Sequence, residues 1–306
     1  MTRVSLIGAP TDVGASVIGC RMGPAALRLA GLGESLTGFD VEVRDCGDVT
    51  GPPNPMADPV GGYRHLPEVI AWNQAVHDAV LAELDDERLP ILLGGDHCLG
   101  IGSISAVARH CRTTGRKLRL LWFDAHADYN TADLTPTGNM HGMPVAVLTG
   151  HGPQELVEMS GAVPAIAPGD VREIGLRSVD LGEKRLLAEH RIEVFDMRYL
   201  DEIGVRAAME MALAGLDDDT HLHTSLDLDF LDDSIAPGVG TPVRGGPTYR
   251  EAHLCMEMIA DTGRLGSLDI VELNPARDVR NATADLAVDL VESLFGKSTL
   301  LRVHQR

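Results

Sequence analysis

Three side chains able to hold a cation stand at every second position in Asp124-Ala-His126-Ala-Asp128, directly after the apolar run Leu121-Trp-Phe. On an extended backbone successive side chains alternate between faces, so these three would share one side. Two carboxylates about 4 Å apart repel by about 4 kcal/mol at an effective dielectric of ~20, so a positive partner must sit between them or water must reach both. Taken alone, the pattern also fits a solvated acidic loop with a chance histidine. A second acidic pair, Asp227 and Asp229, ends the alternating stretch 221–229, with Ser225 in line. A calcium loop starting at Asp227 is excluded: Asp232 stands where its turn glycine belongs and Gly238 where its bidentate glutamate belongs. His97 follows Gly94-Gly95-Asp96 at the end of another apolar run. Together these segments offer two imidazoles, His97 and His126, and four carboxylates, Asp124, Asp128, Asp227 and Asp229, whose charge matches two divalent cations. A mainly oxygen set with some imidazole suits manganese or magnesium better than a thiolate-selecting metal. Two such ions about 3.5 to 4 Å apart lower the pKa of a shared water and present hydroxide, so the predicted reaction class is metal-assisted hydrolysis.

These residues need elements to aim them. Short apolar runs at 4–8, 41–43, 90–93, 118–123, 171–176, 192–195, 221–229 and 266–273 read as strands. Helical periodicity fills 68–87, 99–107, 184–190, 199–213 and 286–294, with a shorter apolar helix over 143–148 and another opening at Pro24. Strands alternating with helices predict an α/β fold, a mostly parallel sheet of about eight strands covered on both faces. Ligands of such sheets bind beyond the carboxyl ends of the strands. His97, the Asp124 group, Asp180, the Asp227 and Asp229 pair and Glu272 all fall at or just past such ends. No repeat, low-complexity segment or linker divides the chain, so 1–306 is expected to be one domain.

The totals exclude several classes. The chain has 306 residues, 44% of them apolar, which is ample for a core. With 45 acidic against 26 basic residues, the net charge of -19 disfavours nucleic acid and anionic membrane as partners. Five scattered cysteines without a CxxC pair read as reduced thiols. No leader pattern and no run of roughly 20 apolar residues is found, so a soluble cytoplasmic protein is expected. Gly14 to Arg21 has the GxxxxG spacing of a phosphate loop but continues Cys20-Arg21 where Lys-Ser/Thr is required, and no GxGxxG exists.

Gly94-Gly-Asp-His97, Asp124-Ala-His-Ala-Asp128, Ser225-Leu-Asp-Leu-Asp229 and Val271-Glu-Leu-Asn-Pro275 resemble, in order, the signature segments of the ureohydrolases, the arginase and agmatinase family. The resemblance implies a three-layer α/β/α fold, two Mn2+ per subunit and cleavage of a guanidino compound to urea and an amine. It implies that His97, Asp124, Asp128 and Asp227 hold one metal, and His126, Asp124, Asp227 and Asp229 the other. Asp128-Tyr-Asn130 continuing to Thr137-Gly-Asn139-Met-His141 is similar to the arginase branch, where Asn130, Thr137 and Asn139 would hold the α-carboxylate of L-arginine. Asp180 and Glu183 would face its α-amino group. The implied mechanism has metal-bridging hydroxide attack the guanidinium carbon, Glu272 pair with the guanidinium, Asp229 pass a proton to the departing amine, and His141 shuttle protons to bulk water. A homotrimer or homohexamer is implied as well. The alternatives are another guanidine hydrolase, acting on agmatine or guanidinobutyrate, or a metal-binding scaffold without turnover.

Three positions depart from the family pattern: Cys98 replaces a usual serine, Phe230 a smaller residue, and Asp233 a common proline. Phe230 is expected to reshape the wall near Asp229, and Cys98 to be buried in packing.

Overall fold

The structure is a computed structural model that describes residues 1–298 and 300. Eight strands, β1 (Thr2–Gly8), β2 (Val41–Asp48), β3 (Leu89–Leu93), β4 (Lys117–Phe123), β5 (Val171–Ile174), β6 (Glu193–Phe195), β7 (Thr220–Asp227) and β8 (Leu265–Val271), form one sheet in the order β2-β1-β3-β8-β7-β4-β5-β6. Every neighbouring pair is parallel, so the expected "mostly parallel" sheet is wholly so among the described residues. Each predicted strand has its counterpart.

The connecting helices are α1 (Gly23–Leu29), α2 (Leu32–Leu36), α3 (Leu66–Asp85), α4 (Gly100–Thr114), α5 (Pro144–Leu148), α6 (Gln154–Val157), α7 (Leu181–His190), α8 (Met197–Ile203), α9 (Val205–Ala212), α10 (Tyr249–Thr262) and α11 (Ala282–Leu294). Leu6, Ile91, Leu121, Leu226 and Ile270 face one side and pack under α1, α2 and α8 to α11. Ile7 and Leu92 pack under α3 and α4, and Leu120, Trp122 and Val171 under α4, α5 and α7 on the same opposite side. That gives three layers. All eight residues of β7 are buried, because a central parallel strand is covered on both faces.

Two helix expectations are corrected. The single helix over 199–213 is two, α8 and α9, because Gly204 between them takes φ 83° and ψ 148°, a conformation that ends one helix and starts the next. α10 was not read at all, although Thr248 and Glu251 form a reciprocal capping box at its start.

Chain order doubles back around β8 and β7, which separate β3 from β4. The carboxyl ends of these four central strands therefore face one crevice, the place where such sheets take ligands.

Candidate metal centre and substrate cleft

His97 reaches the crevice through a turn that only glycine allows. A Cβ on Gly95 would lie 1.7 Å from the carbonyl oxygen of Thr11. Asp96 then locks the turn, accepting from the main-chain N–H groups of Cys98 at 3.0 Å and Gly14 at 2.8 Å. The His97 ring stacks on Trp122 with centroids 3.9 Å apart and planes 3° apart, and its Nε2 lies 2.9 Å from Ser225 Oγ. With Nε2 spent on that serine, Nδ1 is the nitrogen left for a metal.

Asp124, His126 and Asp128 do converge, but not by strand alternation. β4 ends at Phe123, and the following segment curls back, with Asp128 at φ 49°. Such a backbone costs about 1–3 kcal/mol in a residue other than glycine. It is stitched in place by Arg177 and Ser178 N–H to the Ala125 carbonyl, and by Val145 N–H to the Asp128 carbonyl. Likewise the alternation of 221–229 stops at Asp227. Asp229 lies in a 3-10 turn, and its carboxylate comes round to accept from Ala125 N–H at 3.1 Å and from the Thr241 hydroxyl at 3.0 Å.

The result is a knot of like charges. His97 Nδ1 lies 3.1 Å from Asp124 Oδ2, 3.1 Å from Asp227 Oδ2 and 3.3 Å from Asp128 Oδ2. His126 Nδ1 lies 3.3 Å from Asp124 Oδ1 and 3.0 Å from Asp229 Oδ2. Asp124 thus presents one oxygen to each imidazole. All four carboxylates are buried. Burial, then the charge of Asp124, pushes the Asp128 carboxyl well up, and burial with Asp229 and Asp124 does the same to Asp227. Asp229 is raised too, by burial against the pull of His126, while the two histidines hold Asp124 down in spite of burial. Donors around an octahedral cation with bonds near 2.1 Å sit about 3 Å apart, the spacing seen here. Two overlapping groups, His97-Asp124-Asp227 and Asp124-His126-Asp229, have the compactness of metal sites. The donor set therefore fits two hard or borderline divalent ions.

Above the cluster lies a cleft of about 210 Å³. All five predicted substrate residues, Asn130, Thr137, Asn139, Asp180 and Glu183, line it together with His126, Asp128, Asp227 and His141. Sequence reading missed Thr135, Ser178 and Thr241, which also line it. Thr135 is two residues from Thr137, so its hydroxyl was there to be considered; Ser178 and Thr241 carry no local signal. Glu183 Oε1 accepts from Tyr129 N–H at 3.0 Å and its Oε2 from Asp180 N–H at 2.8 Å. Asn139 is clamped by Arg64 at 2.7 Å and Ser16 at 3.0 Å.

Glu272 lies behind this wall, at φ 62°. Its Oε1 accepts from His97 N–H and faces His141 Nδ1, each at 2.9 Å, and its Oε2 receives the Cys20 thiol at 3.3 Å. Burial would raise its carboxyl, but the charge and hydrogen bond of His141 hold it below the usual range. His141 is raised in turn by Glu272 against the effect of burial. Phe230 corrects an expectation: its ring points into the core, 5.1 Å from Phe123, and not into the cleft. Cys98 is fully buried, and burial followed by Asp96 pushes its thiol far up.

The chain as a whole is similar to known proteins. The description "Arginase family" matches residues 2–296. An arginase of Bacillus caldovelox is 42% identical over 98% of this chain and 100% of its own, and an arginase of Brucella melitensis 43% identical over 97% of each. The crystal structure of arginase from Bacillus subtilis superposes with a TM-score of 0.90 at 41% identity, covering 98% of this chain and 100% of that one.

Proposed function

The chain belongs to the arginase family, and we propose that it hydrolyses L-arginine to L-ornithine and urea. The observation that carries this reading is the two-signed wall of the cleft. In its lining the hydroxyl oxygens of Thr135 and Thr137 accept main-chain N–H groups, which leaves their own hydrogens to donate to a carboxylate. The carboxylates of Asp180 and Glu183 line the same cleft. Asn130, also in the lining, donates to Asp180 Oδ2 at 3.1 Å. The head of an α-amino acid carries both charges, whereas agmatine brings an ammonium and no carboxylate.

His97, Asp124, Asp128 and Asp227 would hold one metal, and His126, Asp124, Asp227 and Asp229 the other. Manganese is the proposed ion, because oxygen donors with imidazole suit it. Bound there, divalent metal makes water nucleophilic at neutral pH. Asp229, oriented by Ala125 and Thr241, would take a proton from the attacking water and pass it to the departing amine. Glu272, kept ionised by His141, supplies the negative charge that a guanidinium seeks. His141 joins Glu272 to the cleft and carries protons to solvent. A cytoplasmic homotrimer or homohexamer belongs to the same proposal and rests on the family resemblance. No helix among the described residues is long and apolar enough to cross a membrane.

The test is urea release by manganese-loaded protein from arginine, agmatine and guanidinobutyrate. A site built to bond a charged head should favour arginine by at least ~100-fold in kcat/KM. Equal or faster turnover of agmatine would overturn the substrate assignment, and no product from any substrate would favour a scaffold.

A further inference from the structure

Tyr129 directly follows Asp128, is completely buried, and enters no step above. Its main-chain N–H donates to Glu183 Oε1 at 3.0 Å. Its hydroxyl lies 2.8 Å from Thr149 Oγ1 and 2.9 Å from His190 Nδ1. Glu183 stands in the first turn of α7 and His190 is the last residue of that helix. One residue therefore grips α7 at both ends.

The protons can be assigned. Thr149 already gives its hydroxyl hydrogen to the Val145 carbonyl at 2.8 Å, so its oxygen is left to accept. Tyr129 O–H then donates to Thr149, and the phenol oxygen accepts Nδ1–H from His190. On the outer side the His190 ring stacks on His151, with centroids 4.3 Å apart and planes 10° apart, which fixes the imidazole that makes this bond. At the other end of α7, Asp180 and Glu183 close a capping box and line the cleft.

We propose that Tyr129 is a positioning residue for substrate recognition: by tying both ends of α7 to the loop that carries Asp128, it sets the Asp180 and Glu183 carboxylates against the α-ammonium of the substrate. This rests on the proposed role of those two carboxylates. Ring packing is a separate matter, since Tyr129 also fills the apolar cluster of Leu120, Trp122, Val145 and Leu187. A phenylalanine would pack there equally well, so the hydroxyl is what distinguishes the strut from a core side chain.

Tyr129→Phe in the manganese-loaded full chain should raise the KM for arginine by about 5-fold, the size of one lost hydrogen bond. It should leave kcat within about twofold, because the bond lies outside the reacting centre. Metal content and the KM for the desamino analogue of arginine should not move. His190→Leu, at a half-buried position that threatens folding less, should reproduce the effect, and the double variant should add nothing to it. An unchanged arginine KM in both variants, or an equal rise for arginine and its desamino analogue, reduces Tyr129 to packing. Glu183→Gln separates the two layers of the argument. If it leaves discrimination between arginine and the desamino analogue intact, the ammonium reading fails. If it abolishes discrimination while Tyr129→Phe does not weaken it, the strut alone fails.

Discussion

The two ends of β7 are equally buried and both polar, but the amino end meets most of its polar groups with protein partners, His221 Nδ1 being left without one, whereas the carboxyl end packs like charges together. At the amino end His221 and His223 converge on Ser267 Oγ at 2.8 Å and 2.7 Å, and His223 Nε2 meets Asp269 at 3.1 Å. The Ser103 hydroxyl closes the other oxygen of Asp269 at 2.6 Å. A single carboxylate there has two protein donors. At the carboxyl end Asp227 and Asp229 meet Asp124 and Asp128, with two imidazoles among four acids. Burying a polar group is tolerable when its bonds are made inside the protein, and burying like charges is not. The amino end is accordingly structural, and the carboxyl end is built around cations.

The sharpest way to break this contrast is Asp124→Asn, which removes the charge and turns one of the two oxygens shared between the histidines into an NH2 group. Metal content and urea production should fall together, activity by more than about 100-fold, beyond what loss of an outer partner of a metal ligand causes. Chelation makes the complementary measurement. Ions present at ~1,000 times their Kd stabilise by about 4 kcal/mol, so a chelator should lower the unfolding midpoint of the parent and hardly move that of Asp124→Asn. Retention of both metal and activity would sink the two-metal reading.

The next effect belongs to the other end. Asp269→Ala strands His223 and Ser103 in the core and should cost about 3–5 kcal/mol in chemical denaturation. Manganese affinity at 25 °C should change far less than stability. A large loss of metal with little loss of stability would show that the amino end belongs to the active site after all.

Ser225 sits between the two ends and sharpens the boundary. It accepts from His97 Nε2, so Ser225→Ala should weaken manganese binding by about 10–100-fold with only a modest loss of fold stability. Isothermal titration of the metal-free variant measures this directly. An unaltered affinity would mean that stacking on Trp122 orients His97 unaided.

The same contrast explains what could be read from the sequence. His97, Asp124, His126, Asp128, Asp227 and Asp229 were legible because each follows an apolar strand, and ligand-type residues at a strand end are rare unless something binds them. Their convergence was foreseen for a reason only partly right, since Asp128 and Asp229 arrive by loop curvature and not by alternation. What holds the site was not legible. Cys20 meets Glu272 across 252 residues and Arg64 meets Asn139 across 75, separations that no local pattern encodes. Phe230 misled because bulk was assigned to the cleft when the turn after Asp227 aims it at Phe123. The break at Gly204 was hidden by apolar periodicity that continues across it.

The smallest expected effect concerns His221, whose imidazole is driven down to about 3 by burial first and by the neighbouring His223, Arg116 and His110 after it. An unfolded chain would protonate this histidine near pH 6.5. Above that pH the ring is neutral in both states and its contribution to stability is complete. As pH falls from about 6.5 towards 3, the unfolded state takes up a proton that the folded state refuses, and stability is lost with a slope approaching one proton. His221→Gln removes that uptake, so its acid limb should be shallower by up to about one proton over this window, while manganese-dependent urea release at neutral pH stays at the parent level. The variant's absolute stability does not enter, because the reading is the slope and not the height of the curve. Parallel acid limbs for parent and variant would mean that water reaches the amino end of β7, and the contrast between a closed polar end and an open one would then fail at the closed end.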